Sequence, residues 1–275
     1  MLREYIVDGK SGTDWVQYQP KQHREGEQRW VRVVIGDIED GPETTNSFFP
    51  NVLVRPHFHR GSQFQICVQG TAKFPNGMVE TLGVHYTDHL TPYGPFQRSG
   101  DNSMMVLHAK PAGIVNMDDP EARTLMNRQG RDLIGMPSAA PWASLPGVPG
   151  ARHKLLLNEP TGLKAELIEA PAGAVIPVEP APYGRFEIVI HGSVTVHGRL
   201  IELGPPCPAS PDLLGRNLRF VTGDERPSPL QVGSQGATLM CLQYDADAAR
   251  SYGGKNSERI AQMAAETTQA LAKQA

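Results

Sequence analysis

The chain has 275 residues, with 26 basic against 29 acidic side chains and 28 glycines plus 24 prolines, about a fifth of the whole. Hydrophobic residues at 39% and charged residues at 20% supply a packed interior and exclude wholesale disorder. A net charge of −3 without long runs of one sign excludes a basic nucleic-acid-binding face. The first residues form no apolar signal-type stretch, and no uninterrupted apolar run reaches the ~18 residues of a membrane helix. The expectation is a cytoplasmic chain with neither nucleic-acid nor membrane partners. Cys67, Cys207 and Cys241 form no C-x-x-C pair, so they read as free thiols rather than a disulfide framework or a cysteine zinc site.

Short β-branched or aromatic runs cut by Gly and Pro dominate in chain order. They include Trp30 to Ile35, Asn51 to Arg55, Phe64 to Val68, Met104 to His108, Leu163 to Ile168, Phe186 to Ile190 and Thr238 to Leu242. That spacing is the signature of an all-β sandwich or barrel. Asp119-Pro120-Glu121 reads as an N-cap with Pro at the first helical position, opening a short helix up to about Arg128. Four prolines between residues 137 and 149 mark a linker. Ser257 to Lys273 places Ile260, Ala264, Thr267 and Leu271 on one face of a weakly amphipathic C-terminal helix, suited to pack on a barrel or a partner subunit.

The two sides of the linker resemble each other. Gln63-Phe-Gln-Ile-Cys-Val-Gln-Gly70 matches Arg185-Phe-Glu-Ile-Val-Ile-His-Gly192 at an offset of 122, and Ser103 to Leu107 matches Thr238 to Leu242 at an offset of 135. An internal duplication of a β unit follows.

His57 and His59 sit two apart in an extended stretch, so both imidazoles project from one face. Gln63, Gln65, Cys67 and Gln69 share one face of the next strand, opposite Phe64, Ile66 and Val68. A wholly polar face is either solvated or the lining of a cavity. His85 and His89 flank the following segment, and Arg55 shares the parity of His57, where it could hold a carboxylate or simply lie on the surface. His89 reads as a solvated turn residue and His108 as a strand-end residue bonded to backbone.

The spacing His57-x-His59-x3-Gln63-x6-Gly70 resembles the first signature motif of the cupin superfamily, whose two His and a Glu, sometimes Gln, bind a divalent metal in a small jelly-roll barrel. Asp88-His-Leu90-Thr-Pro-Tyr93 falls in the place of the second motif, in a degenerate form, and puts Tyr93 in the slot of the fourth ligand. The resemblance implies an all-β bicupin of two jelly-roll barrels with a C-terminal helix. Its parts are an N-terminal barrel over 1–110, a helix and Pro-rich linker over 111–150, a degenerate barrel over 151–247 and a helical tail over 248–275. It further implies a divalent transition metal (Fe, Mn, Ni or Zn) on His57, His59, Gln63 and Tyr93, with His85 and Tyr93 as catalytic groups and Arg55 and Gln65 as substrate-binding ones. His85 or His89 could replace Tyr93 as ligand or act as general base, His85 first. Two imidazoles and a neutral amide bring no negative charge to the ion, which favours Lewis-acid chemistry. In the second unit Glu179, Ala181 and Arg185 replace His57, His59 and Gln63, and no ligand set survives. The implied function is a metal-dependent enzyme on a small oxygen-rich or aromatic molecule, an oxygenase first and an isomerase or lyase next, acting as a homodimer. The contrasting reading is a non-catalytic cupin that binds a small molecule or serves a structural role.

Overall fold

A computed structural model describes residues 1–7, 15–18, 29–35, 41–49, 51–202 and 217–250. Cys207 and the expected helix over 257–273 lie outside the described residues. Those described are mostly β-strand, as the turn-punctuated pattern predicts, and no helix among them is long and apolar enough to cross a membrane.

A seven-stranded sheet runs in the order Asp132–Gly135, Val84–Thr87, Gln63–Gln69, Ser103–His108, Glu43–Phe48, Arg29–Ile35, Trp15–Tyr18. A nine-stranded sheet holds the second unit around Leu218–Gly223, Ala181–Val196, Leu230–Gln243 and Lys164–Ala170. The duplication is visible in the register. Phe64 stands opposite Leu107 and Ile66 opposite Met105, while Phe186 stands opposite Leu242 and Ile188 opposite Met240, the same offsets of 122 and 135. Both copies end on a glycine with positive φ, Gly70 (71°) and Gly192 (73°). A Cβ at Gly70 would stand 2.4 Å from Asp101 Oδ1, and one at Gly192, at a register shift within its strand, 2.0 Å from the Gly236 carbonyl oxygen, so both positions favour glycine.

Period-2 alternation then sorts the side chains into layers. Phe64, Tyr86 and Leu107 leave the first sheet on one face and pack against Leu163, Phe186, Leu242 and Tyr244 of the second, joining the two units in one apolar core. Phe64 lies 4.9 Å, ring to ring, from both Tyr86 and Tyr244. Tyr244 also donates its hydroxyl to the Leu107 carbonyl across this core at 2.7 Å. Tyr244→Phe is expected to lower stability by about 1 kcal/mol in urea denaturation, because a buried carbonyl loses that donor. On the opposite face of the first sheet Cys67, Phe74, Val79, Tyr93, Phe96 and Met104 form a separate cluster against the four-stranded sheet of Leu53–Val54, Phe96–Arg98, Ala72–Phe74 and Gly77–Val79.

Sheet membership crosses the boundaries expected from the sequence. Strand Arg3–Val7, expected in the first barrel, pairs antiparallel with Leu218–Gly223 of the second. Asp132–Gly135 and Ala143–Ser144, expected in a linker, complete one edge of each sheet by pairing with Val84–Thr87 and with Arg152 and His153. The expected helix is shorter, Ala122–Leu125, because Met126 leaves helical geometry (ψ 123°) and the Asn127 N–H is taken by the Leu90 carbonyl. This helix presses Ala122 and Leu125 on Phe58, between the two motif histidines.

The units are also clamped by charge. Arg131 donates to both oxygens of Asp88 and both oxygens of Asp245, the closest contact to each being 2.8 and 2.6 Å, and lies over the Tyr86 ring. Tyr86 donates its hydroxyl to Asp88 at 2.8 Å, and Asp245 is fully buried where it caps the helix Ala246–Arg250 through the Ala248 N–H.

Candidate functional site

The strand His57–His59 is held from both sides. It pairs with Ile114–Asn116 and, through a single antiparallel bridge, His57 exchanges backbone hydrogen bonds with Tyr93 (3.2 and 3.1 Å). That bridge is why the two side chains meet, since directly opposed residues project to the same side. With Phe58 turned down into its own cluster, His57 and His59 project together, ring centroids 5.4 Å apart, and Tyr93 lies 4.6 Å from His57 and 6.4 Å from His59.

The polar face of Gln63–Gln69 is interior from Gln63 to Cys67, and only Gln69 at its end is exposed. Gln63 is 0% and Gln65 3% exposed, which decides between solvent and lining in favour of lining. A continuous chain of contacts runs through it. His57 Nδ1 donates to the Arg55 carbonyl at 2.8 Å, and Tyr93 Oη stands 2.7 Å from His57 Nε2. The Gln65 amide spans Tyr93 Oη (2.8 Å) and His85 Nδ1 (2.8 Å), and His85 Nε2 reaches Asp132 Oδ1 at 2.7 Å. Asn76 donates to the same Asp132 oxygen at 2.8 Å. Gln63 donates to Thr87 Oγ1 at 3.1 Å, while its own Oε1 is buried without a hydrogen-bond partner.

Burial dominates the electrostatics. It holds the His57 and His85 imidazoles below their ordinary range, against the pull of Asp132 on His85, and pushes the Tyr93 hydroxyl up, so the phenol stays protonated. Cys67 and Cys241 are buried free thiols, each pushed up to about 11 by burial, and therefore unreactive at neutral pH.

His57, His59, Gln63, Gln65, His85 and Tyr93 thus come together with Tyr93 at the hub. Arg55 does not join them by its side chain, which is exposed; its carbonyl orients His57 instead. His85 is fully buried between Gln65 and Asp132 and reaches the His57 face only through Gln65. His108 bonds the Ser62 carbonyl, as a strand-end histidine should, but its ring is 5.1 Å from that of His59. His89 is half-buried rather than solvated, with Ser62 Oγ on its backbone N–H. Asp132 was not legible as a site residue, since it lies 47 positions beyond His85 in an apparent linker.

Among the described residues no group of three or more His, Cys, Asp or Glu side chains is arranged to hold an ion. The donors at hand are two imidazoles and neutral oxygens. They fit a divalent transition metal in two respects. His57 has Nδ1 fixed on a carbonyl and Nε2 left with its lone pair, the usual state of a ligating histidine. Gln63 Oε1 is a buried acceptor that a cation would satisfy.

At the equivalent place the second unit differs. His85 stands opposite Gln65, and Arg219 stands opposite Glu187. Asp132–Gly135 flanks the first pair as Arg3–Val7 flanks the second. Arg219, 0% exposed, donates to Glu187 Oε2 (2.7 Å) and Glu4 Oε1 (2.8 Å), so Glu187–Arg219–Glu4 occupies the positions of Gln65–His85–Asp132.

No protein-family model matches the sequence, and no curated protein matches it. Solved structures do. A presumptive dioxygenase from Nostoc punctiforme is 9% identical, with 89% of this chain and 88% of that one covered and a TM-score of 0.56. The 7S globulin of Momordica charantia is 10% identical over 85% and 82% of the two chains, TM-score 0.52. Oxalate decarboxylase from Bacillus subtilis is 10% identical over 87% and 78%, TM-score 0.51. At such identities the likeness is one of fold, and it spans both units.

Proposed function

With the chain a bicupin by fold, we propose that its first unit is a metal-dependent enzyme site carrying out proton-transfer chemistry, of isomerase or lyase type, on a small oxygen-rich molecule. The observation that carries this reading is the set of buried side chains His57, Tyr93 and Gln63, of which Gln63 leaves its Oε1 without a hydrogen-bond partner. His57, His59 and Gln63 would hold the ion, and Tyr93 Oη would ligate it or bond substrate. A divalent ion held by neutral donors supplies an electrophile that polarises a substrate carbonyl or hydroxyl.

The chain's own residues supply the rest. The Arg55 carbonyl fixes the ring of His57, and the backbone bridge fixes Tyr93 against it. Phe74 and Phe96, stacked 4.4 Å apart beside Tyr93, wall off water. The Tyr93 hydroxyl, kept protonated by burial and held at its oxygen by the Gln65 amide N–H, is the group placed to give a proton at Oη to one substrate atom and take one back from another. His85 serves at one remove, holding the Gln65 amide from its other side. Oxygenase chemistry draws on the same ion, and oxygen uptake by the loaded protein separates the two.

The test is metal titration of the full chain with Fe(II), Mn(II), Ni(II) and Zn(II). About one ion per chain is expected for one of them, weakened more than about 100-fold in His57→Ala/His59→Ala, beyond the loss of an outer partner. A wild-type chain that takes up none of the four ions overturns the enzyme reading in favour of a non-catalytic cupin.

A further inference from the structure

The strand that carries the motif histidines is 3 residues long, and the loop over 88–93 supplies one side of it. The Leu90 N–H donates to the His59 carbonyl at 2.8 Å, and Tyr93 exchanges backbone bonds with His57. The placing of both histidines and of Tyr93 therefore follows the placing of this loop. No strand runs between Thr87 and Tyr93, and the chain turns at Leu90 through a left-handed φ of 59°. A residue with a side chain keeps that conformation only where its neighbours impose it.

Part of what imposes it belongs to the second unit. At the entry to the loop the Asp88 N–H donates to the Arg131 carbonyl (3.0 Å), and the Arg131 N–H donates to Asp88 Oδ2 (2.8 Å). Asp88 is thus tied to residue 131 by backbone and side chain alike. The Arg131 guanidinium is aimed from the far side: Nη1 donates to Asp245 Oδ2 (2.6 Å) and Thr161 Oγ1 (3.1 Å), and Nη2 to Asp245 Oδ1 (3.1 Å). Its Nε and Nη2 hold Asp88. Asp245 is the fixed end, because it is buried, follows Tyr244 of the shared core directly and caps its own helix. The first unit adds ties at mid-loop, Ser62 Oγ on the His89 N–H (3.0 Å) and the Asn127 N–H on the Leu90 carbonyl (2.8 Å), but neither holds the entry.

We propose that Asp245 of the second unit is a positioning residue for the candidate metal site: through Arg131 and Asp88 it sets the loop, and the loop sets His57, His59 and Tyr93 against one another. This rests on the metal reading above and deepens it. Coupling of this kind is reciprocal, so an ion at the histidines tightens the contact between the units by the factor by which that contact raises ion affinity. An Asp245 with a merely structural role stabilises loaded and metal-free chains alike.

Asp245→Asn in the full chain removes the charge and keeps the shape. Affinity for the best bound of the four ions above, read on folded protein by competition with a chromophoric chelator, is expected to fall about 5–10-fold. Amide hydrogen exchange of the metal-free chain reads the loop without any ion, and is expected to quicken at the Leu90 and Tyr93 N–H groups. Tyr244→Phe weakens the shared core one residue away and is expected to leave both readings at their wild-type values. Thr161→Val removes the other second-unit contact to Arg131. It is expected to move both readings in the same direction by less, and it carries the test if Asp245→Asn does not fold. Unchanged exchange and affinity in the variants that fold overturn the proposal and leave the metal reading intact. A matching change in Tyr244→Phe also overturns it, since that marks general loosening; no ion binding by the wild type overturns both readings.

Discussion

Replacing Arg131 with alanine is expected to cost about 3–5 kcal/mol, seen in urea denaturation at neutral pH, because it strands two carboxylates that it alone binds together across the units. The pH dependence carries the signature. Burial by itself pushes Asp88 and Asp245 up, but the hydrogen bonds from Arg131 outweigh it and hold both below the usual carboxylate range. Groups depressed in the folded chain give stability that is complete above their unfolded pKa and is lost as pH falls through the folded value. In Arg131→Ala only the Tyr86 hydroxyl and the residue 131 N–H on Asp88, and Thr161 and the Ala248 N–H on Asp245, still oppose burial, so protonation relieves much of the strain and the deficit relative to wild type shrinks as pH falls. A deficit that is the same at every pH would contradict this account of the clamp.

Arg219→Met should be nearly as damaging, again about 3–5 kcal/mol, for Glu187 at 2% exposure loses the guanidinium on its Oε2 and Glu4 its buried partner. Arg185, 3.2 Å from the other Glu187 oxygen, offsets part of the loss. This substitution leaves the first unit untouched. Its metal affinity, measured on the folded fraction, should match wild type; a fall in affinity would show that the two units are coupled through the shared apolar core.

What was readable in the sequence was whatever period-2 alternation and local spacing encode. His57 and His59 share a face because strand geometry leaves no choice, and the polar face of Gln63 and Gln65 was evident without its burial. The duplicated pairs of Phe64 with Leu107 and Phe186 with Leu242 were visible as repeats, since an apolar residue facing a core is replaced conservatively. The correspondence of His85 with Arg219 and of Asp132 with Glu4 was not, because those positions share only a register. Chemistry there diverged completely, and register is set by hydrogen bonding between distant strands. Tyr93 was placed near the histidines by motif spacing, but its bond to His57 depends on a backbone bridge that composition does not announce.

The strand Arg3–Val7 bears on how the polypeptide comes to be folded. It is made before Leu218–Gly223, with which it pairs more than two hundred residues later, so an emerging chain holds that edge unpaired until the later strand has been synthesised. Its pairing closes a loop of more than two hundred residues, which places it late and makes it slow. Dissection at the 137–149 prolines therefore does not yield two independent pieces: the later fragment lacks Glu4 and the strand that covers Arg219, and the earlier one carries an orphaned edge strand open to pairing with other molecules.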